Sequence, residues 1–233
     1  MRVLVTRPEP GAGRTAAKLR GMGFEPVVLP LSETRTLPVP DTVVPAHAAA
    51  VAVTSANALR HAPPALLARL TRLPCHAVGR RTAEAARAAG FSEVAEGPGD
   101  AIGLADEIGA EFAGKTLVYP CGRERFPGFE ARLAATGVKV RPIETYDTVI
   151  LDHSDETVLS VLSGDPVDAM LLYSVKAAAA AHRLASRPAL AKYFRDAHVF
   201  ALSGRVGAAF AAGVRVAASP DEEALLALLA NPG

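Results

Sequence analysis

Several short apolar runs in this sequence end alike, with hydroxyl, glycine or cationic residues where a strand would give way to a helix. Thr6-Arg7 follows Val3-Leu4-Val5, Thr54-Ser55 and Asn57 follow Val51-Ala52-Val53, and Gly79, Arg81 and Thr82 follow His76-Ala77-Val78. Arg123 comes after Leu117-Val118-Tyr119, Ser174 and Lys176 after Leu171-Leu172-Tyr173, and Ser203 after Phe200-Ala201-Leu202. Such turns expose the unpaired N–H groups of a helix N-terminus, which bind anions. Each helix end contributes about 0.3–1 kcal/mol to a bound negative charge, so several together can hold a polyanion without a basic surface. The same residues have plainer readings. Ser55, Thr82, Ser174 and Ser203 are all good helix caps. Asn57 can bond its own backbone, and Arg7, Arg80, Arg81, Arg123 and Lys176 can be solvated charges. Tyr146 follows the run Val138 to Ile143. A phenol with a pKa of about 10 stays protonated at neutral pH and can donate a proton or a hydrogen bond. It could equally be a packing residue with a polar tip.

Other chemistries lack their residues. Gly11-Ala12-Gly13 has no third glycine for a dinucleotide fingerprint, Gly97, Gly99 and Gly103 are misspaced, and no P-loop or G-x-S-x-G elbow occurs. The histidines at 47, 61, 76, 153, 182 and 198 are scattered, with no pair at i, i+4 and no cysteine pair nearby. Neither a metal nor another cofactor is expected. No acidic pair follows a strand, which weighs against a nucleotide-sugar or phosphate transferase.

The elements that must position these residues alternate. Strands are expected at Val3 to Thr6, Val27 to Leu29, Ala50 to Thr54, His76 to Val78, Thr116 to Tyr119, Val138 to Ile143, Ala169 to Tyr173, Val199 to Leu202 and Val214 to Ala217. Short, continuously apolar runs fit strands buried on both faces of a parallel sheet. Between them Ala12, Ala16, Leu19 and Met22 recur at helical spacing before Gly23, and Leu225, Leu226, Leu228 and Leu229 do so in the last helix. Ser219-Pro220-Asp221-Glu222 reads as a capping box with Ser219 at the cap. The class is therefore α/β. The stretches near 31–48 and 147–167, with their prolines and acids, read as crossovers or linkers rather than core.

Half of the 233 residues are hydrophobic and the net charge is +1, an ordinary globular balance. Without a basic run or any tryptophan, no nucleic-acid platform is expected. No apolar run approaches the ~18 residues of a membrane span, and the N-terminus is a strand rather than a signal peptide. Two cysteines, Cys75 and Cys121, fit reduced thiols in a cytoplasmic protein.

The chain is also internally repeated. Val3-Leu4, Leu19 and Gly23 match Leu117-Val118, Leu133 and Gly137 at a constant offset, each as strand, helix, glycine, strand. Val51 to Ser55 matches Met170 to Ser174 in the same way. Each of these is followed by a helix, a strand, a helix ending at Gly90 or Gly213, a strand at Val94-Ala95 or Val216-Ala217, and a third helix. The order is a-b-a′-b′. By itself it allows either ab with a′b′, or a with b′ and b with a′.

The ordered set of motifs resembles the uroporphyrinogen-III synthase family along nearly the whole chain. Thr6-Arg7-Pro8 is similar to the family's Thr-Arg-Pro start, Val53-Thr54-Ser55-Ala56-Asn57-Ala58 to its second signature, and Val78-Gly79-Arg80-Arg81-Thr82-Ala83 to its Val-Gly-x-x-Thr-Ala turn. Glu144-Thr145-Tyr146-Asp147-Thr148 stands where the family has Val-Tyr-x-Thr, and Tyr173-Ser174 and Ala201-Leu202-Ser203 echo the C-terminal signatures. Departures are Tyr173 where Thr is usual, Asp100-Ala101 in place of a Ser-rich helix start, and a last glycine turn shifted by one residue at Ser203-Gly204.

The resemblance implies two flavodoxin-like parallel-sheet lobes joined by two linkers, with a substrate cleft between them. It implies residues 1–33 with 151–233 in one lobe, 37–147 in the other, and linkers near 34–36 and 148–150. The implied reaction is the cofactor-free cyclisation of hydroxymethylbilane, a linear tetrapyrrole with eight carboxylates, with inversion of ring D through a spiro intermediate. Tyr146 would assist the departing hydroxyl. Thr6, Arg7, Thr54, Ser55, Asn57, Gly79, Arg81, Thr82, Arg123, Ser174, Lys176 and Ser203 would bind substrate. A monomer is expected, with transient hand-over from the preceding enzyme. The alternative from another class is a non-catalytic two-lobe binding or sensor protein for a small anion.

Overall fold

In a computed structural model the described residues are 1–40, 43–210 and 213–230. The elements run β1 (Arg2–Val5), α1 (Gly11–Gly21), β2 (Glu25–Val28), β3 (Ser32–Thr36), β4 (Ala48–Val53), α2 (Ala56–Arg60), α3 (Pro64–Leu70), β5 (Cys75–Ala77), α4 (Arg80–Ala88), β6 (Val94–Glu96) and α5 (Ala101–Gly109). They continue with β7 (Thr116–Gly122), α6 (Pro127–Ala135), β8 (Lys139–Ile150), α7 (Asp155–Leu162), β9 (Ala169–Leu172), α8 (Val175–Ala185), α9 (Ala191–Phe194), β10 (His198–Ala201), α10 (Gly204–Gly207), β11 (Val214–Val216) and α11 (Glu222–Ala227).

The chain divides into two compact units: Met1–Thr34 with Val149–Gly233, and Arg35–Thr148. The first sheet has the order β11-β10-β9-β1-β2, with β1 parallel to both β2 and β9. Counted in chain order this is 2-1-3-4-5, the flavodoxin-like winding. The second sheet has the order β3-β8-β7-β4-β5-β6, with β7 parallel to both β8 and β4. Leaving β3 aside, it is the same sheet with its two segments of chain exchanged. The a strands lie beside the b′ strands, and the b strands beside the a′ strands.

Both sheets are buried on two faces, which is why their strands are apolar without alternation. In the first, Leu4, Met170 and Leu172 pack with Val158 and Leu162 of α7 and Ala181 and Leu184 of α8. Val3, Val5, Leu171 and Phe200 face Ala12 and Leu19 of α1 and Leu225 and Leu226 of α11 on the other side. In the second, Val51, Val53 and Val118 face Leu59, Leu66 and Leu70, while Ala50, Ala52, Leu117 and Tyr119 face Leu104, Ile108, Phe129 and Leu133.

The repeat extends to the turns. Helices α1 and α6 both end at a left-handed glycine, Gly23 and Gly137, each with φ +82°. Phe24 N–H donates to Leu19 O and Val138 N–H to Leu133 O, closing both helices alike.

Several expectations need correction. The stretches near 31–48 and 147–167 are not mere crossovers. They contain β3, the end of β8, and α7 with its fully buried Val158 and Leu162. The segments 34–36 and 148–150, expected as linkers, are strand, and the chain passes between the units inside β3 and β8. The strand expected from Val138 to Ile143 continues to Ile150 as β8. The last helix is capped by Asp221 rather than Ser219. Asp221 Oδ1 accepts from Ala224 N–H at 2.9 Å, and the Ser219 hydroxyl donates to Asp221. A carboxylate is the better acceptor at the positive end of a helix. The helix expected to reach Gly213 stops at Gly207, since two glycines in four residues weaken it. Residues 211–212 of that stretch lie outside the described residues.

Candidate active site

Ligands of open parallel sheets bind beyond the carboxyl ends of the strands, where the winding reverses. Each unit has such a point. In the first it lies between β1 and β9, where Thr6-Arg7 and Tyr173-Ser174 emerge. In the second it lies between β7 and β4, where Arg123 and Thr54-Ser55 emerge.

At the first point Thr6 is fully buried and its hydroxyl donates to Leu171 O at 2.8 Å, tying β1 to β9. Arg7 lies 4.3 Å above the Tyr173 ring, and its Nη1 donates to Glu222 Oε1 at 2.8 Å and to Thr15 Oγ1 at 3.4 Å. Lys18 Nζ bonds the second oxygen, Glu222 Oε2, at 2.6 Å. Burial pushes the Glu222 carboxyl up, but Lys18, Thr15 and Arg7 together hold it below the usual carboxylate range. Burial also raises the Tyr173 phenol, against a hydrogen bond with Thr15. Ser174 caps α8 by accepting from Ala177 N–H at 3.2 Å, with half-buried Lys176 in the first turn. Ser203, at the neighbouring strand β10, caps α10 through Val206 N–H at 3.4 Å.

The second point is built on a bulge. Cys121 pairs with Glu144 but Gly122 with Tyr146, so Thr145 is the extra residue, and its hydroxyl is buried against Ala58 O at 2.8 Å. A Cβ on Gly122 would meet the Tyr146 ring at 2.8 Å, so the missing side chain makes room for the phenol. Burial raises the pKa of Tyr146, partly opposed by a hydrogen bond with the Ser55 side chain. Ser55 also caps α2, accepting from Asn57 N–H at 3.3 Å, and Asn57 Oδ1 accepts from Arg60. His61 lies 5.8 Å from Tyr146 between ring centroids. Its Nδ1 bonds Thr36 Oγ1 at 2.9 Å, and burial with nearby Arg60 lowers its pKa. Thr54 and Tyr119 share a hydrogen bond of 2.8 Å between their hydroxyls, and burial pushes the Tyr119 phenol up to about 12. Arg123 is exposed and paired with Glu144 at 3.2 Å and Asp147 at 3.4 Å, and its N–H donates to Tyr146 O at 2.8 Å.

The adjoining strand β5 leads through Gly79 into α4, whose first turn holds exposed Arg81 and buried Thr82. No side chain caps this helix, leaving early backbone N–H groups for an anion. The corresponding donors of α1 are partly taken, because Glu9 Oε2 accepts from Gly13 N–H at 2.9 Å.

Every candidate residue therefore sits at or beside one of the two points, but they are not equivalent. Thr6, Thr54, Ser55, Ser174 and Ser203 spend their hydroxyls on bonds within their own unit. Arg7, Arg123, Asn57 and Tyr146 also bond within their units, to Glu222, to Glu144 and Asp147, to Arg60 and to Ser55, and Tyr146 lies inside β8. Reasoning from sequence missed Glu222, Thr15, Lys18, Tyr119 and His61. Thr15 and Lys18 share a face of α1, but their partner Glu222 is more than 200 residues away, as the 207-residue separation from Thr15 shows. No local pattern signals that contact. Among the described residues no cluster of three or more His, Cys, Asp or Glu could hold a metal, and no helix is long and apolar enough to cross a membrane.

The profile of the family described as uroporphyrinogen-III synthase HemD matches residues 13–230. The chain belongs to the uroporphyrinogen-III synthase family. Its fold is similar to that of uroporphyrinogen-III synthetase from Helicobacter pylori 26695, with a TM-score of 0.68 at 18% identity over 100% of this chain and 99% of that one. It is also similar to a mutant uroporphyrinogen III synthase from the extremely thermophilic bacterium Thermus thermophilus, with a TM-score of 0.57 at 20% identity over 89% and 86% of the two chains. No curated protein sequence matches the chain. At such identities the structural likeness speaks for the fold, and the family assignment rests on the profile.

Proposed function

We propose that the chain is a cyclising lyase that converts hydroxymethylbilane to uroporphyrinogen III in tetrapyrrole and haem biosynthesis. The observation that carries this is the family match across 218 residues, 13–230 inclusive. Family membership leaves no support for the non-catalytic sensor considered above. Tyr146 donates to the substrate's terminal hydroxyl, the C–O bond breaks, and water leaves with that proton. The electron-rich pyrrole nitrogen stabilises the resulting N-protonated azafulvene, and the proton that ring D loses on reclosing returns to the Tyr146 phenolate. Ring D then attacks through its substituted carbon to give a spiro centre, which fragments and recloses with the ring turned over. The protein's main task is to hold a floppy chain in the geometry for that attack. Burial raises the phenol's pKa, so it is protonated at neutral pH but a weaker acid, which suits assistance to a hydroxyl that the pyrrole nitrogen itself helps to expel.

The carboxylates are shared among Arg7, Arg81, Arg123, Lys176 and the backbone donors at the strand ends, especially the uncapped start of α4. Thr6, Thr54, Ser55, Gly79, Thr82, Asn57, Ser174 and Ser203 shape those turns. The chain crosses between the two units inside β3 and β8. The near-neutral charge and two free, buried thiols fit a cytoplasmic monomer that receives its unstable substrate by transient hand-over.

The test is incubation of purified protein with hydroxymethylbilane followed by isomer analysis. The inverted isomer should dominate. Uninverted product alone, at the spontaneous rate, would overturn the assignment.

A further inference from the structure

Arg7 is held on three sides by groups that no substrate role explains. A long arginine at a strand end samples many rotamers, and ordering it on binding costs affinity. Here the ordering is already done. The Tyr173 ring lies 4.3 Å below the guanidinium, and Glu222 Oε1 takes Nη1 at 2.8 Å. Gly11, the first residue of α1, supplies the third side. A Cβ there would sit 2.5 Å from Arg7 Nε and 3.0 Å from Cζ, so the guanidinium occupies the space a side chain would fill. The bonds to Glu222 and Thr15 leave from Nη1, and the Nε–Nη2 side faces Gly11, whose Cβ position would lie 3.1 Å from Nη2. The cluster holds two cations, Arg7 and Lys18, against one carboxylate, Glu222. One positive charge is left over at the point where the winding of the first sheet reverses. Arg7 and Glu222 side chains are 22% and 10% exposed, so the pair is shielded enough to keep its geometry.

We propose that Gly11 and Glu222 are positioning residues that hold Arg7 as a fixed receptor for one substrate carboxylate. This rests on the reading of Arg7 as a substrate-binding residue. Glu222 supplies orientation, Gly11 supplies space, and Arg7 alone touches substrate. The fixed guanidinium then meets a carboxylate without first being ordered.

Gly11→Ala tests this without removing any functional group. Gly11 has helical backbone geometry and the new methyl meets only the Arg7 side chain, so the variant should fold, with a loss of melting temperature no larger than that of Arg7→Ala. Its KM for hydroxymethylbilane should rise about three- to tenfold, with kcat within about twofold. Glu222→Gln keeps the shape and removes the charge, and should give the same split. In an Arg7→Ala background, either change should move KM by less than about twofold, because its effect runs through Arg7. The Arg7 Nε–H signal in nitrogen-15 NMR should shift and broaden in both single variants, a readout that needs neither substrate nor activity. An unchanged signal overturns the proposal. So does an unchanged KM, a lowered KM, which would make Glu222 a competitor of the substrate, or a full effect persisting without Arg7. An inactive wild type would instead remove the functional reading, leaving the NMR result to decide whether the two residues fix Arg7.

Discussion

The two winding-reversal points solve the same problem with different chemistry. Both place an arginine just beyond a central strand and answer it with carboxylates. In the first unit the answer is a half-buried lock in which one carboxylate, two cations, a threonine and a tyrosine ring fix Arg7. In the second, Arg123 is exposed, its partners Glu144 and Asp147 come from the neighbouring strand, and the shielded group is the phenol of Tyr146. Duplicate sheets therefore carry different chemistry: one end fixes an arginine, the other shields a phenol. The start of α11 brings Glu222 to the first point, whereas the bulged strand β8 brings Glu144, Tyr146 and Asp147 to the second.

The sharpest way to break this comparison is to remove each phenol. Tyr146→Phe should lower turnover by about 10²-fold with substrate affinity nearly intact and the inverted isomer still formed. Tyr173→Phe should change turnover by less than about twofold, since its hydroxyl reaches Glu222 only at 3.5 Å and the ring remains beneath Arg7. Wild-type turnover in Tyr146→Phe would reduce that residue to packing and send the search for the acid elsewhere.

Next in size are the arginines. Arg7→Ala should weaken binding by about 1–2 kcal/mol, and Arg81→Ala and Lys176→Ala by no more than that, because the anion load is spread. Arg7→Ala also leaves Glu222 short of a partner, so thermal melting should show a loss of about 1 kcal/mol or more. Arg123→Ala should alter stability by less than about 1 kcal/mol, as exposed pairs are heavily screened. Near-complete loss of binding from a single replacement would reveal a dedicated clamp instead of a shared load.

A smaller effect follows from Glu222. Its folded pKa is depressed below the ordinary 4.5, so its contribution to stability is present above that value and disappears as pH falls through the folded one. Acid melting curves of wild type and Glu222→Gln should therefore differ near neutrality and converge only as pH falls through the depressed folded pKa. A constant difference across that range would show that the lock is steric rather than ionic. The smallest expected effect is none: dialysis against a strong chelator should leave turnover unchanged, and a large loss restored by one metal would contradict the cofactor-free reading.

Much of this molecule is legible in one dimension because its rules are local. Apolar runs buried on both faces, helix-ending glycines at Gly23 and Gly137, and hydroxyls at Ser55, Ser174 and Ser203 each report a neighbourhood of a few residues. The repeat reports strand order within each segment for the same reason. Tyr146 was visible as a phenol beyond a strand, although the bulge that turns it over Gly122 was not. Where β8 continues past Ile143 to Ile150 and where Asp221 displaces Ser219 as a cap, local rules competed and the surroundings chose.

Class, ordered turns and family could all be read from the order of residues, because each rests on short motifs. The pairing of a strands with b strands could not, because either arrangement has the same local pattern and the same apolar faces. Nor could the bonding of Arg7 to Glu222, Thr15, Lys18 and Tyr173 as one cluster. Those contacts close over up to 215 residues of chain, and their energy comes from shielding two cations and a carboxylate together, a property no short segment possesses.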